Sequence, residues 1–181
     1  MIFLVVILVA LLLWGITLFN RLIRDRQRVR AGWADIDVQL KRRHDLIPKL
    51  VTTVKGYAAY ERATLETLTR LRAKSAALDQ PAARGSAEGE LGAGLRRLLA
   101  LAEAYPELKA DSSFLQLMEE LSGTEERIQF ARRYYNGCVR NLNTRIQTFP
   151  DLLLARLCGI GPAEYFELED LRQAQTPEVS L

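Results

Sequence analysis

Residues 42–48 read Arg42-Arg43-His44-Asp45-Leu46-Ile47-Pro48, and how the backbone passes through them decides the fold. Asp45 is a good N-cap, and Pro48 would then be the third helical residue, where a missing N–H costs nothing. The basic residues before Asp45 suit a helix C-terminus and the acid suits the next N-terminus. Cap, charge and proline together predict one helix stopping near His44 and another starting near Leu46. The apolar spacing gives a rival reading. Leu40, Ile47, Val51, Val54 and Ala58 run on in phase, as in one long helix kinked at Pro48. The turn makes a four-helix bundle, the kink a three-helix one.

Helical spacing holds on both sides of this stretch, and no segment alternates as a strand does. Upstream, Trp33, Ile36 and Leu40 share a face. Downstream, Ile47, Leu50, Val51, Val54, Tyr57, Leu65 and Leu68 carry the second helix towards Leu78. Residues 79–94, rich in Ala and Gly and containing Pro81, read as a flexible connection or a weak helix start near Glu88. A short third helix over Leu91–Leu101 ends at Tyr105-Pro106. Asp111 or Ser112 caps a fourth helix that runs to about Thr148, with Gly123 inside it at a cost of about 1 kcal/mol against Ala. A tail helix is expected from Pro162 to Arg172, with Pro at its first position.

The front end has a different character. Residues 1–19, MIFLVVILVALLLWGITLF, contain no ionisable side chain. At 1.5 Å per residue, Ile2 to Phe19 spans roughly 27 Å, close to a hydrocarbon core of ~30 Å. Arg21, Arg24, Arg26, Arg28 and Arg30 follow, broken only by the acid Asp25. The positive-inside rule places that cluster in the cytoplasm and the amino terminus outside, at a bacterial inner membrane. A cleaved signal peptide would need a basic start and a small-residue cleavage site, and neither is present. The arginines fix topology in the plainer reading, and hold anionic headgroups in the other. The expected organisation is an anchor over 1–20, a basic juxtamembrane segment over 21–32, an antiparallel bundle over 33–172 and a flexible tail over 173–181.

The 181 residues carry 25 basic and 22 acidic side chains, and much of the excess lies in that flank. A nucleic-acid partner is not expected, because no basic stripe interleaves with aromatics. One histidine and two cysteines exclude most multi-histidine metal sites and any disulfide framework. A di-metal carboxylate bundle needs Glu-x-x-His pairs, and His44 has no such Glu. Cys138 and Cys158 lack metal-type spacing and read as reduced thiols. His44 could serve a nucleophile in principle, but nothing in the sequence places one beside it. No phosphate-binding loop follows a strand. No cofactor and no enzymatic activity are therefore expected.

Polar residues are dense in one region: Arg132, Arg133, Asn136, Arg140, Asn141, Asn143 and Arg145. Asn136, Arg140 and Asn143 fall near one helical face, with Arg133 a turn above. Arg42, Arg43 and Asp45 sit at the expected turn. These residues form a candidate cluster with two readings. The plainer is register-fixing cross-links, the arginines pairing with Asp35, Asp37 or Asp45. The other is a partner-docking surface with Tyr134 or Tyr135 as anchors. The run from Phe149 to Ile160 reads first as closure of the bundle end, and alternatively as a contact with the bilayer or a second protomer.

Several strings carry a resemblance. They are QLKRRHDLIPKLV over 39–51 with VKGY over 54–57, then GTEERI over 123–128 with ARR over 131–133, YN over 135–136 and VR over 139–140. The last is NTRIQTFP over 143–150, ending at LCGI over 157–160. In order and spacing the chain from Trp33 to about Asp170 resembles the bacterial LemA family. Leu142 stands where the family usually has Tyr, and Ile160 where it usually has Phe. The resemblance implies a bacterial, single-pass, membrane-anchored helical bundle with no established activity. A relative in the magnetosome membrane implies a part in organising membranes or proteins rather than catalysis, an analogy without a residue-level mechanism. The expected function is a non-enzymatic scaffold or adaptor that meets the lipid bilayer and a protein partner or a second copy. The alternatives are a self-assembling membrane organiser and an accessory subunit of a membrane enzyme.

Overall fold

A computed structural model describes residues 1–57 and 61–167, and the expected tail over 173–181 lies outside them. Among the described residues the regular structure is all helical: α1 Ile2–Tyr57, α2 Arg62–Ala76, α3 Pro81–Ala102, α4 Pro106–Ala110, α5 Ser112–Gln147 and α6 Asp151–Leu157. The chain is all-α with one N-terminal helix long and apolar enough to cross a membrane. It divides into two compact units: residues 1–37 with 130–165, and residues 38–129 with 166 onward. Both α1 and α5 contribute to each.

The turn expected near His44 is not formed, because α1 continues through Pro48 to Tyr57. Asp45 is exposed and caps nothing among the described residues, whereas Leu46, Ile47, Leu50 and Val54 are buried. The in-phase apolar face therefore prevails over the local stop signals. An interior proline removes the N–H that would bond the carbonyl four residues back. Here that carbonyl belongs to His44, and Arg72 of α2 donates to it from Nε at 2.7 Å. A side chain supplies what the backbone lacks.

In the second unit the core joins Leu46, Ile47, Leu50 and Val54 of α1 to Leu65 and Leu68 of α2 and Leu91, Leu95 and Leu98 of α3. Phe114 and Leu121 of α5 complete it. Of the two readings of 79–94, connection or weak helix start near Glu88, the helix forms, and it starts earlier, with Pro81 in the first turn of α3. Its small residues serve packing. A Cβ on Gly94 would lie 3.3 Å from the Cδ1 atoms of Leu68 and Leu71. Asp111 caps α5, its Oδ1 accepting the Phe114 N–H at 2.8 Å, while Tyr57 donates to its other oxygen at 2.8 Å. The bond from Phe114, then that from Tyr57, holds the Asp111 carboxyl below its usual range, and the bond to Asp111, with its charge, raises Tyr57 above its own.

In the first unit α1 and α5 run antiparallel. Asp25 meets Arg145, and Trp33 packs on Tyr135 with ring centroids 5.5 Å apart. Gly32 permits the close approach, since a Cβ there would lie 3.2 Å from the Tyr135 Cα. The tail helix expected from Pro162 is not formed over 161–167, and residues 168–172 lie outside the described ones. Side chains of α5 hold this segment by hydrogen bonds. Asn143 donates to the Ala163 carbonyl at 2.9 Å and accepts its N–H at 2.8 Å, and Tyr135 donates to the Glu164 carbonyl at 2.7 Å.

Candidate functional site

The second unit holds a buried charged cluster. Arg43 and His44 are adjacent on α1, and both side chains are buried beside Glu88 of α3. Arg43 pairs with the Glu88 carboxylate, donates to the Glu88 carbonyl at 3.0 Å, and reaches Glu125 of α5 at 2.8 Å. His44 donates from Nε2 to Glu88 Oε1 at 2.6 Å, and the Ser75 hydroxyl of α2 donates to the same oxygen. Burial pushes the Glu88 carboxyl up. The His44 hydrogen bond, the Arg43 charge and the Ser75 hydroxyl outweigh it, so the carboxyl lies below its usual range.

The chemistry of this cluster is inward. Each oxygen of Glu88 is engaged by α1 or α2, and Arg43 bridges α3 to α5. Four helices are thus tied at one level. Arg43 pairs with Glu88 and Glu125, two acids on other helices. Glu88 and Ser75 are not singled out by the sequence. Glu88 falls in the stretch where the sequence leaves a connection and a weak helix start both open, and Ser75 carries no motif. Read as an α3 helix, residues 84, 87, 88, 91 and 95 mark one buried face, with Glu88 an acid in its middle.

The bonds that tie Arg43, His44 and Ser75 to Glu88 and Glu125 involve no other candidate residue. Arg42 and Asp45 are exposed on α1. Arg133, Asn136, Arg140 and Asn143 belong to the first unit, where Asn143 is engaged with Ala163 and Arg140 is exposed. Of the two tyrosines weighed as anchors, Tyr135 faces inward. Burial, with the Glu164 charge, pushes its hydroxyl up to about 12. Tyr134 faces outward, 53% exposed. One turn before it Phe130 is 66% exposed, and the Arg133 guanidinium lies over the Phe130 ring, 4.6 Å from its centroid. Phe130, Arg133 and Tyr134 make an exposed aromatic–arginine patch on α5.

Of the five flanking arginines, Arg21, Arg24, Arg28 and Arg30 are exposed and Arg26 is half-buried. Arg28 pairs with Asp25 at 3.3 Å. Arg26 and Arg30 line a shallow cavity of about 200 Å³ with Leu142 and Ile160. Among the described residues, no three His, Cys, Asp or Glu side chains converge as metal ligands.

Comparison with known proteins follows the same lines. The LemA family model matches residues 32–181. Protein LemA of Metamycoplasma hominis is 29% identical over 158 residues, covering 85% of this chain and 71% of the relative. Magnetosome protein MamQ 2 of Paramagnetospirillum magneticum is 27% identical over an alignment of 189 residues, 90% of this chain and 68% of the relative. Magnetosome protein MamQ of Magnetospirillum gryphiswaldense is 24% identical over 174 residues, 82% of this chain and 64% of the relative. With a matched region covering most of its length and an apolar helix at its front, this membrane-associated chain belongs to the LemA family.

Proposed function

We propose that the protein is a non-enzymatic, membrane-anchored adaptor. Its apolar helix crosses the bacterial inner membrane with the amino terminus outside, and its helical body stands in the cytoplasm and binds a protein partner. The carrying observation is the contrast between the two faces of α5. Its inner polar groups are engaged within the fold, while Phe130, Arg133 and Tyr134 stand exposed together. Aromatic and arginine side chains dominate the energetics of protein interfaces. The arginines from Arg21 to Arg30 support the orientation. Similarity to magnetosome proteins supports a second reading, self-assembly at a membrane surface.

The test is cross-linking in intact membranes with mass spectrometry of the adducts, comparing the native chain with a Phe130→Ala, Tyr134→Ala double variant. A reproducible foreign partner lost in the variant is the expected result. Adducts between copies of this chain alone would favour self-assembly. Substrate turnover that follows the purified protein and survives in the variant would overturn the adaptor reading.

A further inference from the structure

The end of the first unit nearest the apolar helix exposes an apolar face. Phe149 is 73% exposed in the turn before α6, and Leu153 and Leu157, one turn apart on α6, are 59% and 83% exposed. The opposite side of α6, Asp151 and Ala155, is buried. The short helix is thus packed on one side and apolar on the other. Exposed apolar groups gathered in this way mark a contact surface.

The position of this face relative to the membrane follows from the same unit. Arg145 pairs with Asp25 at 2.6 Å and approaches Asp151, the first residue of α6, at 3.8 Å. Asp25 lies six residues beyond Phe19, about 9 Å along the helix axis from the end of the apolar stretch. Because α5 runs antiparallel to α1, the residues after Arg145 head back towards that end. Gln147, the last residue of α5, draws level with about Ile23, and the chain enters the turn that carries Phe149 from there. Burial on α1 agrees. Residues 1–14 are exposed throughout, as on a lone helix, whereas Leu18 and Leu22 are buried. Neighbours on the same helix do not bury a leucine fully, so the folded part of the unit covers the last turns of the apolar stretch. Exposed arginines frame the face: Arg21 and Arg24 on α1, and Arg156 on α6.

We infer that Phe149, Leu153 and Leu157 are buried at the boundary between headgroups and acyl chains of the bilayer that α1 crosses. The unit then touches the membrane twice, through the spanning helix and through an interfacial face with a basic rim. The contact rests on the anchor reading given above. Its consequence is orientational: a helix that only spans leaves the unit free to tilt and rotate, and a second contact restrains both.

The test uses the full chain with Cys138→Ala, so that the exposed Cys158, next to Leu157, is the single labelled thiol. The protein is placed in phosphatidylcholine–phosphatidylglycerol vesicles and labelled with an environment-sensitive fluorophore. A reference variant moves the label to exposed α5 by Cys158→Ser and Gln116→Cys. The label at 158 is expected to be quenched by spin-labelled lipid and several-fold less by aqueous iodide than the label at 116. The pattern is expected to persist at one copy per nanodisc, and to be lost on Leu153→Glu with Leu157→Glu while the protein still floats with the vesicles. Equal iodide access at 158 and 116 in floating protein overturns the proposal and leaves the anchor standing. Shielding that disappears at one copy per nanodisc overturns it in favour of a second copy as the occupant. Protein that does not float overturns the anchor reading and the proposal with it.

Discussion

Arg72 Nε donates a hydrogen bond at 2.7 Å to the His44 carbonyl, the acceptor that Pro48 leaves without its helical partner. A proline inside a helix costs about 3 kcal/mol, part of it from the orphaned carbonyl. Arg72→Leu is therefore expected to destabilise the protein by about 1–3 kcal/mol. With Pro48→Ala, the amide of residue 48 can bond the carbonyl again, and the same arginine substitution is expected to cost much less. Denaturation of the four proteins of this double-mutant cycle reads the coupling directly. Additive costs would mean that Arg72 does not serve the proline.

Glu88 is the hub of the buried cluster, and Glu125 is the second, partly exposed partner of Arg43. Glu88→Gln leaves Arg43 buried without its main counter-charge, and breaking a buried pair typically costs about 3–5 kcal/mol. Glu125→Gln acts where the carboxylate is 42% exposed, and its cost is expected to stay below about 1 kcal/mol. Equal losses for the two variants in chemical denaturation would remove Glu88 from that role.

Acid should have a related effect. The Glu88 carboxyl lies below its usual range when folded, so the unfolded chain binds this proton more readily. Its contribution is fully present above the ordinary glutamate range and is lost as pH falls through that range towards the folded value. Stability is expected to decline on acidification, and the Glu88→Gln variant to decline less steeply. Parallel pH profiles for the two proteins would contradict this.

The sequence made the apolar front end, the long helix α5 with its Asp111 cap and the overall helical class legible, because each depends on local pattern. The path through Pro48 was not. The cap, charge and proline signals at Asp45 are local, whereas Arg72, which satisfies the freed carbonyl, lies 28 residues away. Glu88 was missed for a similar reason. The alanines and glycines of residues 79–94 look like a connection until a neighbouring helix requires small side chains. Arg43 was visible as a candidate but its acids were not, since pairing across helices leaves no spacing in the sequence. Tyr134 and Tyr135 are neighbours with opposite fates, which Trp33 and the Glu164 carbonyl decide.

Two glycines separate packing from propensity. A Cβ on Gly85 would collide with the Glu167 carbonyl, whereas one on Gly123 meets nothing within 4 Å. Gly85→Ala is expected to displace the segment at Phe166, which is fully buried, and to speed chymotryptic cleavage there. Gly123→Ala is expected to stabilise α5 by roughly 0.5–1 kcal/mol. Unchanged cleavage for the first, or a loss of stability for the second, would contradict these assignments.

The proposed adaptor role requires the outward face of α5 around Tyr134 to receive a protein partner. The most direct measurement is site-specific photo-cross-linking in living cells, with a photoreactive phenylalanine replacing Tyr134 in one strain and the exposed Glu119 in another. A discrete adduct with a foreign protein is expected from position 134 and none of the same mass from position 119. Adducts at 134 with this chain alone, or identical patterns from both positions, would contradict it.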